Sequence, residues 1–181
     1  MDWTNIFQIK YPKPGASSEE IANALTALAA PLSNQELESI QQSQTNPFPA
    51  SDPLYTAYTP FDPTSWSIPT SPLPPTYLDF LRWSNGGSFF NGDRCFDTFF
   101  PCSDLRHYLI GYHIPQYLPG AIPFASTGNG EIYYFDMRNN PVENEYPILL
   151  CSFGDLRYNH SVEVGKSFLE ACLDRTNPVK E

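Results

Sequence analysis

Apolar residues recur at helical spacing in the first third of the chain. Ser17 and Ser33 each precede a glutamate by three residues. This spacing is typical of a capping box, in which the serine side chain and the acid satisfy each other's free amides. Behind the first box, one helical stripe carries Ile21, Leu25 and Leu28. The pattern predicts a helix from Ser17 to Pro31 and a shorter one that begins at Ser33.

Two more helices are predicted further along the chain. Pro75 suits the first turn of a helix that ends near Asn85, with Gly86 as its left-handed cap. A third capping box pairs Ser167 with Glu170 and predicts a C-terminal helix. The apolar residues expected to face inward from it are Phe168, Leu169, Cys172 and Leu173.

From residue 88 onward the apolar residues follow the two-residue period of strands. Predicted strands cover residues 89–90, 95–100, 121–126, 131–137 and 146–153. Residues 127–130 read Thr-Gly-Asn-Gly and predict a hairpin, because Asn129 and Gly130 tolerate positive φ. Helices, then hairpin-linked strands, then a helix indicate an α+β fold whose mainly antiparallel sheet is packed by helices.

Residues 47–75 contain nine prolines and no basic residue, yet they do not have the composition of a disordered linker. The segment also carries the aromatic residues Phe48, Tyr55, Tyr58, Phe61 and Trp66. Because large rings gain free energy from burial, we predict a Pro-rich strap over residues 47–72. We expect one domain over residues 1–181, with N-terminal helices in 1–46 and a core motif region in 73–181.

The charge balance restricts the class of partner. Ten Lys and Arg stand against twenty Asp and Glu, which gives a formal net charge of -10. Nucleic acids and anionic membranes are bound mainly by basic side chains. Because this chain has an excess of acidic ones, we expect neither as a partner. An acidic protein is suited to rapid association with a basic protein.

The N-terminal residues lack a basic stretch followed by an apolar one, so no signal peptide is predicted. No run approaches the roughly 18 apolar residues of a membrane helix. Four cysteines at unrelated spacings favour free thiols in a reducing compartment over a disulfide framework. We therefore expect a cytoplasmic protein.

Motifs that carry catalysis are scarce. The glycines at 128 and 130 precede a strand and lack the third glycine of a dinucleotide cradle. His107 and His113 lie six residues apart, which is not a ligand spacing, and no Gly-x-Ser-x-Gly occurs. The sequence predicts no enzyme, no cofactor and no metal site.

Acidic residues around the predicted hairpin are the candidate partner contacts. Asp136 stands at a strand end, where its side chain suits either a turn cap or a partner contact. The turn cap is the simpler interpretation. The full set of candidate contacts is Asp97, Glu131, Asp136, Glu143 and Glu145.

Four segments in order resemble a known family. They are residues 73–81 with Asn85-Gly86-Gly87, residues 118–125 with 128–136, Tyr146-Pro147-Ile148, and residues 164–170. Together they are similar to the SUKH superfamily, which includes yeast cell-wall regulators. The resemblance spans about residues 70–175 and implies an α+β domain with an antiparallel sheet. The Pro-rich strap departs from it as an insertion ahead of the Leu73-Pro74 motif.

The resemblance also implies two functions. Most bacterial members of the superfamily are immunity proteins that bind and neutralise toxins, and fungal members are scaffolds in cell-wall signalling. No catalytic residues accompany either function. Combined with the acidic charge, the resemblance predicts a non-enzymatic immunity protein that binds a basic toxin domain. A nuclease is one kind of toxin that fits this expectation. The alternative is a regulatory scaffold that binds several endogenous proteins.

Overall fold

Seven strands form one antiparallel sheet in which consecutive strands are neighbours, from β1 at one edge to β7 at the other. The structure is a computed structural model and describes residues 1–176. The strands are β1 (Ile9–Pro12), β2 (Gly87–Asn91), β3 (Arg94–Phe99), β4 (Ala121–Ser126), β5 (Glu131–Asp136), β6 (Ile148–Ser152) and β7 (Val162–Gly165). The predicted α+β class with an antiparallel sheet is confirmed.

Within the described residues, six α-helices accompany the sheet. They are α1 (Ser18–Ala29), α2 (Asn34–Ser43), α3 (Pro75–Trp83), α4 (Leu105–Gly111), α5 (Ile114–Tyr117) and α6 (Phe168–Leu173). Both predicted capping boxes of the N-terminal helices are closed. At α6 the box is altered, because the Glu170 carboxylate accepts the Lys166 N–H at 2.8 Å instead of that of Ser167.

Helices cover both faces of the sheet at its centre. All residues of β4 except Ser126 are buried, and strand side chains alternate between faces, so neither face is open there. In β2, by contrast, buried and half-buried residues alternate, which is the pattern of a strand with one open face. Both α4 and α5 pack against β4, while α3 packs against α6.

Aromatic rings fill the core beneath α3 and α6. The ring centroids of Phe80 and Phe99 are 4.5 Å apart, and those of Phe124 and Phe168 are 5.5 Å apart. Trp3, from the N-terminal segment, meets the Phe80 ring edge-on at 5.3 Å. Such pairs add about 0.5–1.5 kcal/mol each beyond the burial of their area. The first residues of the chain are therefore part of the core.

Arg106 of α4 holds α1 and α2 against the rest of the molecule. Its guanidinium pairs with both carboxylate oxygens of Glu36, at 2.7 and 2.9 Å. The same group donates to the carbonyl of Ala27 in the last turn of α1 and to those of Ala30 and Pro31 just after it, at 2.7–3.0 Å. One side chain thus caps the C-terminus of α1 and closes an ion pair with α2.

The Pro-rich strap is irregular, as predicted, with two 3-10 turns at Tyr55–Ala57 and Pro63–Ser65. Its aromatic residues attach it to the body of the protein. The rings of Phe61 and Trp66 stack at 5.5 Å, and the Trp66 indole donates to Gln116 Oε1 at 3.0 Å. The Gln44 side chain bonds both the N–H and the C=O of Phe61, at 2.8 and 3.0 Å.

The pattern of the sequence missed four elements: β1, α4, α5 and β7. The two strands are four residues long, and the two helices are short, so each shows too little periodicity. The predicted hairpin between β4 and β5 is present, but the expected φ at Asn129 was wrong. Positive φ occurs at Gly128 and Gly130, at 75° and 82°.

The four cysteines are free, and three of them are buried. Within residues 1–176, no helix is long and apolar enough to span a bilayer.

Candidate interaction groove

A groove of about 750 Å³ opens at the end of the sheet where β5 ends and β6 begins. The loop after β5, residues 139–145, forms one wall. The corner between β7 and α6 forms the other, and Thr76 in the first turn of α3 also lines the space. We call it the acidic groove, since five carboxylates and one ammonium line it: Asp136, Glu143, Glu145, Glu163, Glu170 and Lys166.

A tight turn shapes the loop wall. Val142 and Glu145 exchange two backbone hydrogen bonds of 3.0 and 2.9 Å, and the residues between them both have positive φ. This is the pattern of a type I′ turn. Asn144 tolerates it, whereas a glutamate at position 143 costs on the order of 1 kcal/mol. The turn leaves Val142 76% exposed at the rim.

Glu145 ties the walls together. Its carboxylate accepts from the hydroxyl of Thr76 on α3 and from the backbone N–H of Phe168 on α6 at 3.1 Å. The first turn of each helix is thereby fixed to the loop. Glu145 was predicted as a partner contact, and the structure gives its carboxylate a positioning role within the groove.

Asp136 is also occupied within the protein. It is 9% exposed, and its two oxygens accept from Nε and Nη2 of Arg138 at 2.8 and 2.7 Å. The Asp136 carboxylate raises the pKa of Arg138. The Arg138 guanidinium in turn lies 3.5 Å from the centroid of the Tyr158 ring. Asp136 therefore orders the strand exit, in agreement with its interpretation as a turn residue.

Two carboxylates remain for a ligand. Glu143 on the turn and Glu163 on β7 are both exposed, and neither has a hydrogen-bond or ion-pair partner within residues 1–176. Lys166 is the one basic residue of the described lining. The walls add apolar surface from Val142 and Leu169. An acidic groove with apolar rims suits a basic segment that carries some apolar side chains.

The other two predicted contacts lie elsewhere. Asp97 is exposed on β3, and its side chain packs against Gly128 of the β4–β5 hairpin. Glu131 begins β5, whereas Asp136 ends it, so about 17 Å of strand separates them. The five predicted residues therefore form two groups at opposite ends of β5, and three of them line the groove.

The groove also contains residues that the sequence did not predict as partner contacts: Val142, Glu163, Lys166 and Leu169. Glu163 lies in the unpredicted strand β7, and only the fold brings it opposite the turn. The alternation of Val162, Glu163 and Val164 was the available signal for an exposed acid on a strand.

The described lining of the groove contains no cysteine and no histidine. Burial raises the pKa values of the Cys102 and Cys172 thiols, which keeps them protonated at neutral pH. Within residues 1–176, no group of three or more His, Cys, Asp or Glu is placed to hold a metal ion. The chemistry that this arrangement supports is the recognition of a cationic surface.

Comparison with known families gives a match to the SMI1 / KNR4 family (SUKH-1) over residues 70–171. No curated protein matches the chain. The matched region extends from just before α3 into α6 and includes the whole acidic groove. It excludes β1, α1, α2 and most of the strap. Since the match covers more than half of the sequence, the chain belongs to the SMI1 / KNR4 family (SUKH-1).

Proposed function

We propose that this protein is a non-enzymatic immunity protein of the cytoplasm, which binds a toxin domain and blocks it. The acidic groove is the observation that carries the proposal. It presents two unpaired carboxylates, Glu143 on the loop wall and Glu163 on the β7 wall, and the hydrogen bonds of Glu145 hold the loop wall to α3 and α6. Family membership and the net charge of -10 add support.

Inhibition would follow from occlusion. A toxin that acts on an anionic substrate such as a nucleic acid has a basic cleft, and the acidic face of this protein fits such a surface. Opposite charge raises association rates by roughly 10–1000-fold at low salt. A preformed groove loses little conformational entropy on binding, which favours slow dissociation.

The test is co-expression with the toxin-like domain encoded beside the gene, with host growth and co-purification as readouts. We expect growth to be rescued and a stable one-to-one complex to form. The double variant Glu143→Lys/Glu163→Lys should lose both. Glu38→Lys is the matched control, since Glu38 is an exposed acid of α2 outside the groove.

Failure of rescue with both proteins folded would contradict immunity for that pair. The regulatory scaffold would then be favoured, and one observation supports a surface for it. Tyr117 is 48% exposed and its ring lies 6.4 Å from that of Phe61 in the strap. Tyr112 is 40% exposed and its ring lies 4.4 Å from that of Phe153. Neither tyrosine lines the acidic groove. A scaffold should co-purify with several endogenous proteins in place of one.

A further inference from the structure

The two edges of the sheet differ in their protection against strand pairing. Edge strands in natural proteins are blocked by lysine, proline or covering segments. β1 carries Lys10 and ends in Pro12. β7 has neither, and its sequence Val162-Glu163-Val164-Gly165 is a good strand former as far as the glycine. Its ladder with β6 is irregular, because Glu163 pairs with Leu149 and Gly165 with Ile148, which leaves Val164 without a partner residue. β7 therefore lacks the lysine and the proline of β1, and the irregularity at Val164 is its one protective feature.

The outer side of β7 is also unpaired. Peptide groups of an edge strand point alternately toward the neighbouring strand and away from the sheet. Within residues 1–176, no hydrogen bond outside the β6–β7 ladder engages a peptide group of residues 162–165. Val162 is half-buried and Glu163 is exposed, so the outward donors and acceptors of these two residues are the ones available to an added strand. Val164 and Gly165 are buried.

The edge and the groove form one continuous surface. Glu163 belongs to β7 and lines the groove, and Lys166 follows the last residue of the strand. A chain laid along β7 would therefore pass into the space between the type I′ turn and α6. There it would meet the Glu143 carboxylate and the apolar side chains of Val142 and Leu169.

We propose that β7 and the acidic groove together bind an extended segment of the partner protein, with alternating basic and apolar residues, by strand addition. The segment residue opposite Glu163 shares its face, so a Lys or Arg there meets an unpaired carboxylate. The segment residue beside Val162 lies on the other face and is apolar. This inference rests on the proposed function and specifies how the partner is recognised.

Charge decides against a second copy of this chain as the occupant. Pairing β7 with β7 across a two-fold axis would bring Glu163 near its own copy and join two molecules that each carry -10. A basic segment removes that repulsion.

The direct test uses the full chain and a capped hexapeptide of alternating Lys and Val as the probe. We expect amide NMR shifts confined to residues 139–147 and 162–170, with an affinity that falls as salt rises. The Glu163→Lys variant should bind at least about tenfold more weakly, whereas Glu38→Lys should bind like the wild type. Amide dispersion reports whether each variant is folded.

Two N-methylated peptides separate strand addition from charge attraction alone. Each is methylated on alternate peptide nitrogens, in one of the two registers, and both keep every charge. Because only one register turns its N–H groups toward β7, we expect one peptide to bind at least about tenfold more weakly than the other. Equal affinities would overturn the inference, and so would shifts outside the two segments.

The co-expression experiment is independent of this result. Rescue of growth by Glu163→Lys at the wild-type level would overturn the strand-addition inference and leave immunity intact. Register-dependent peptide binding without rescue by the wild type would support the inference and contradict the proposed toxin pairing.

Discussion

Arg106 is a single residue that connects three helices, α1, α2 and α4. Its guanidinium is the main polar link between the helices of the first 46 residues and the sheet. The hydrogen bonds from Arg106 lower the pKa of Glu36 from 4.5 to about 2. A depressed carboxyl pKa stabilises the fold above the unfolded value and ceases to do so as the pH falls through the folded value.

The contribution of the Glu36–Arg106 pair to the free energy of unfolding should therefore fall as the pH decreases from about 4.5 to about 2. The Glu36→Gln variant should be less stable than the wild type at pH 7 by roughly 2–3 kcal/mol, and the difference should vanish near pH 2. Urea unfolding at a series of pH values measures it. Glu38→Gln, an exposed neighbour on the same helix, is the control and should track the wild type. A difference between Glu36→Gln and the wild type that does not change with pH would contradict the pair's role.

Arg94 presents the opposite case, a buried charge that is poorly satisfied. Its side chain is 1% exposed and bonds Asp174 through Nη2 at 2.5 Å. Within residues 1–176, Nε and Nη1 have no hydrogen-bond partner. Buried ion pairs cost desolvation that their attraction often fails to offset.

We expect the free energy of unfolding of Arg94→Met to lie within about 1 kcal/mol of the wild-type value, or above it. Asp174→Asn, which leaves the cation buried without its counter-charge, should lose about 2–3 kcal/mol. Urea denaturation of the two single variants measures the contrast. The explanation fails if Arg94→Met is the more damaging change.

Among the elements, the contact of α6 with β7 depends on a glycine. A Cβ atom at Gly165 would lie 2.6 Å from the backbone nitrogen of Ala171, too close for a real contact. This close packing holds one wall of the groove against the sheet.

Gly165→Ala should therefore destabilise the protein by about 1–3 kcal/mol. Gly111→Ala is the matched change, since a Cβ at this last residue of α4 meets nothing within 4 Å. It should be neutral or stabilising by up to about 1 kcal/mol. Thermal unfolding compares the two. Equal effects would show that the close approach at Gly165 has no energetic weight.

The strap is held by few side chains, so it should open without the rest of the fold. Trp66→Ala removes the stack on Phe61 and the bond to Gln116. We expect faster amide exchange in residues 58–68 and unchanged exchange in β4–β6. Tyr55→Ala is the control, because this strap residue is 42% exposed. Uniformly faster exchange in the strands would show that the strap and sheet unfold together.

For the whole molecule, the matched family region does not contain the whole hydrophobic core. Trp3 and Phe7 lie in the core, and β1 completes the sheet. A chain of residues 70–176 would lack these residues together with Ile21 and Leu28, so its core would be incomplete.

We expect this shortened chain to lose the cooperative unfolding transition and the near-ultraviolet dichroism of the full chain, with much secondary structure retained. Calorimetry and circular dichroism test this. A cooperative transition at a temperature near that of the full chain would contradict this expectation. It would show that residues 70–176 fold without residues 1–69.

Sequence alone determined the elements whose signals are local. Four local signals led to elements that are present: the capping boxes at Ser17 and Ser33, Pro75 at a first turn, and the hairpin between two apolar runs in residues 121–136. Each depends on neighbours within a few positions. The acidity and the family pattern are likewise properties of the chain. They led to the expected class of fold and the kind of partner.

Tertiary structure decided the rest, because it depends on residues far apart in the chain. β1 is a strand only because it pairs with β2, more than 70 residues away. Of the five candidate acids, packing occupies Asp136 and Glu145 and leaves Glu143 exposed, while Asp97 and Glu131 lie about a strand's length from the groove. Glu163 joins the groove because β7 closes the sheet beside it, a placement that no local pattern encodes.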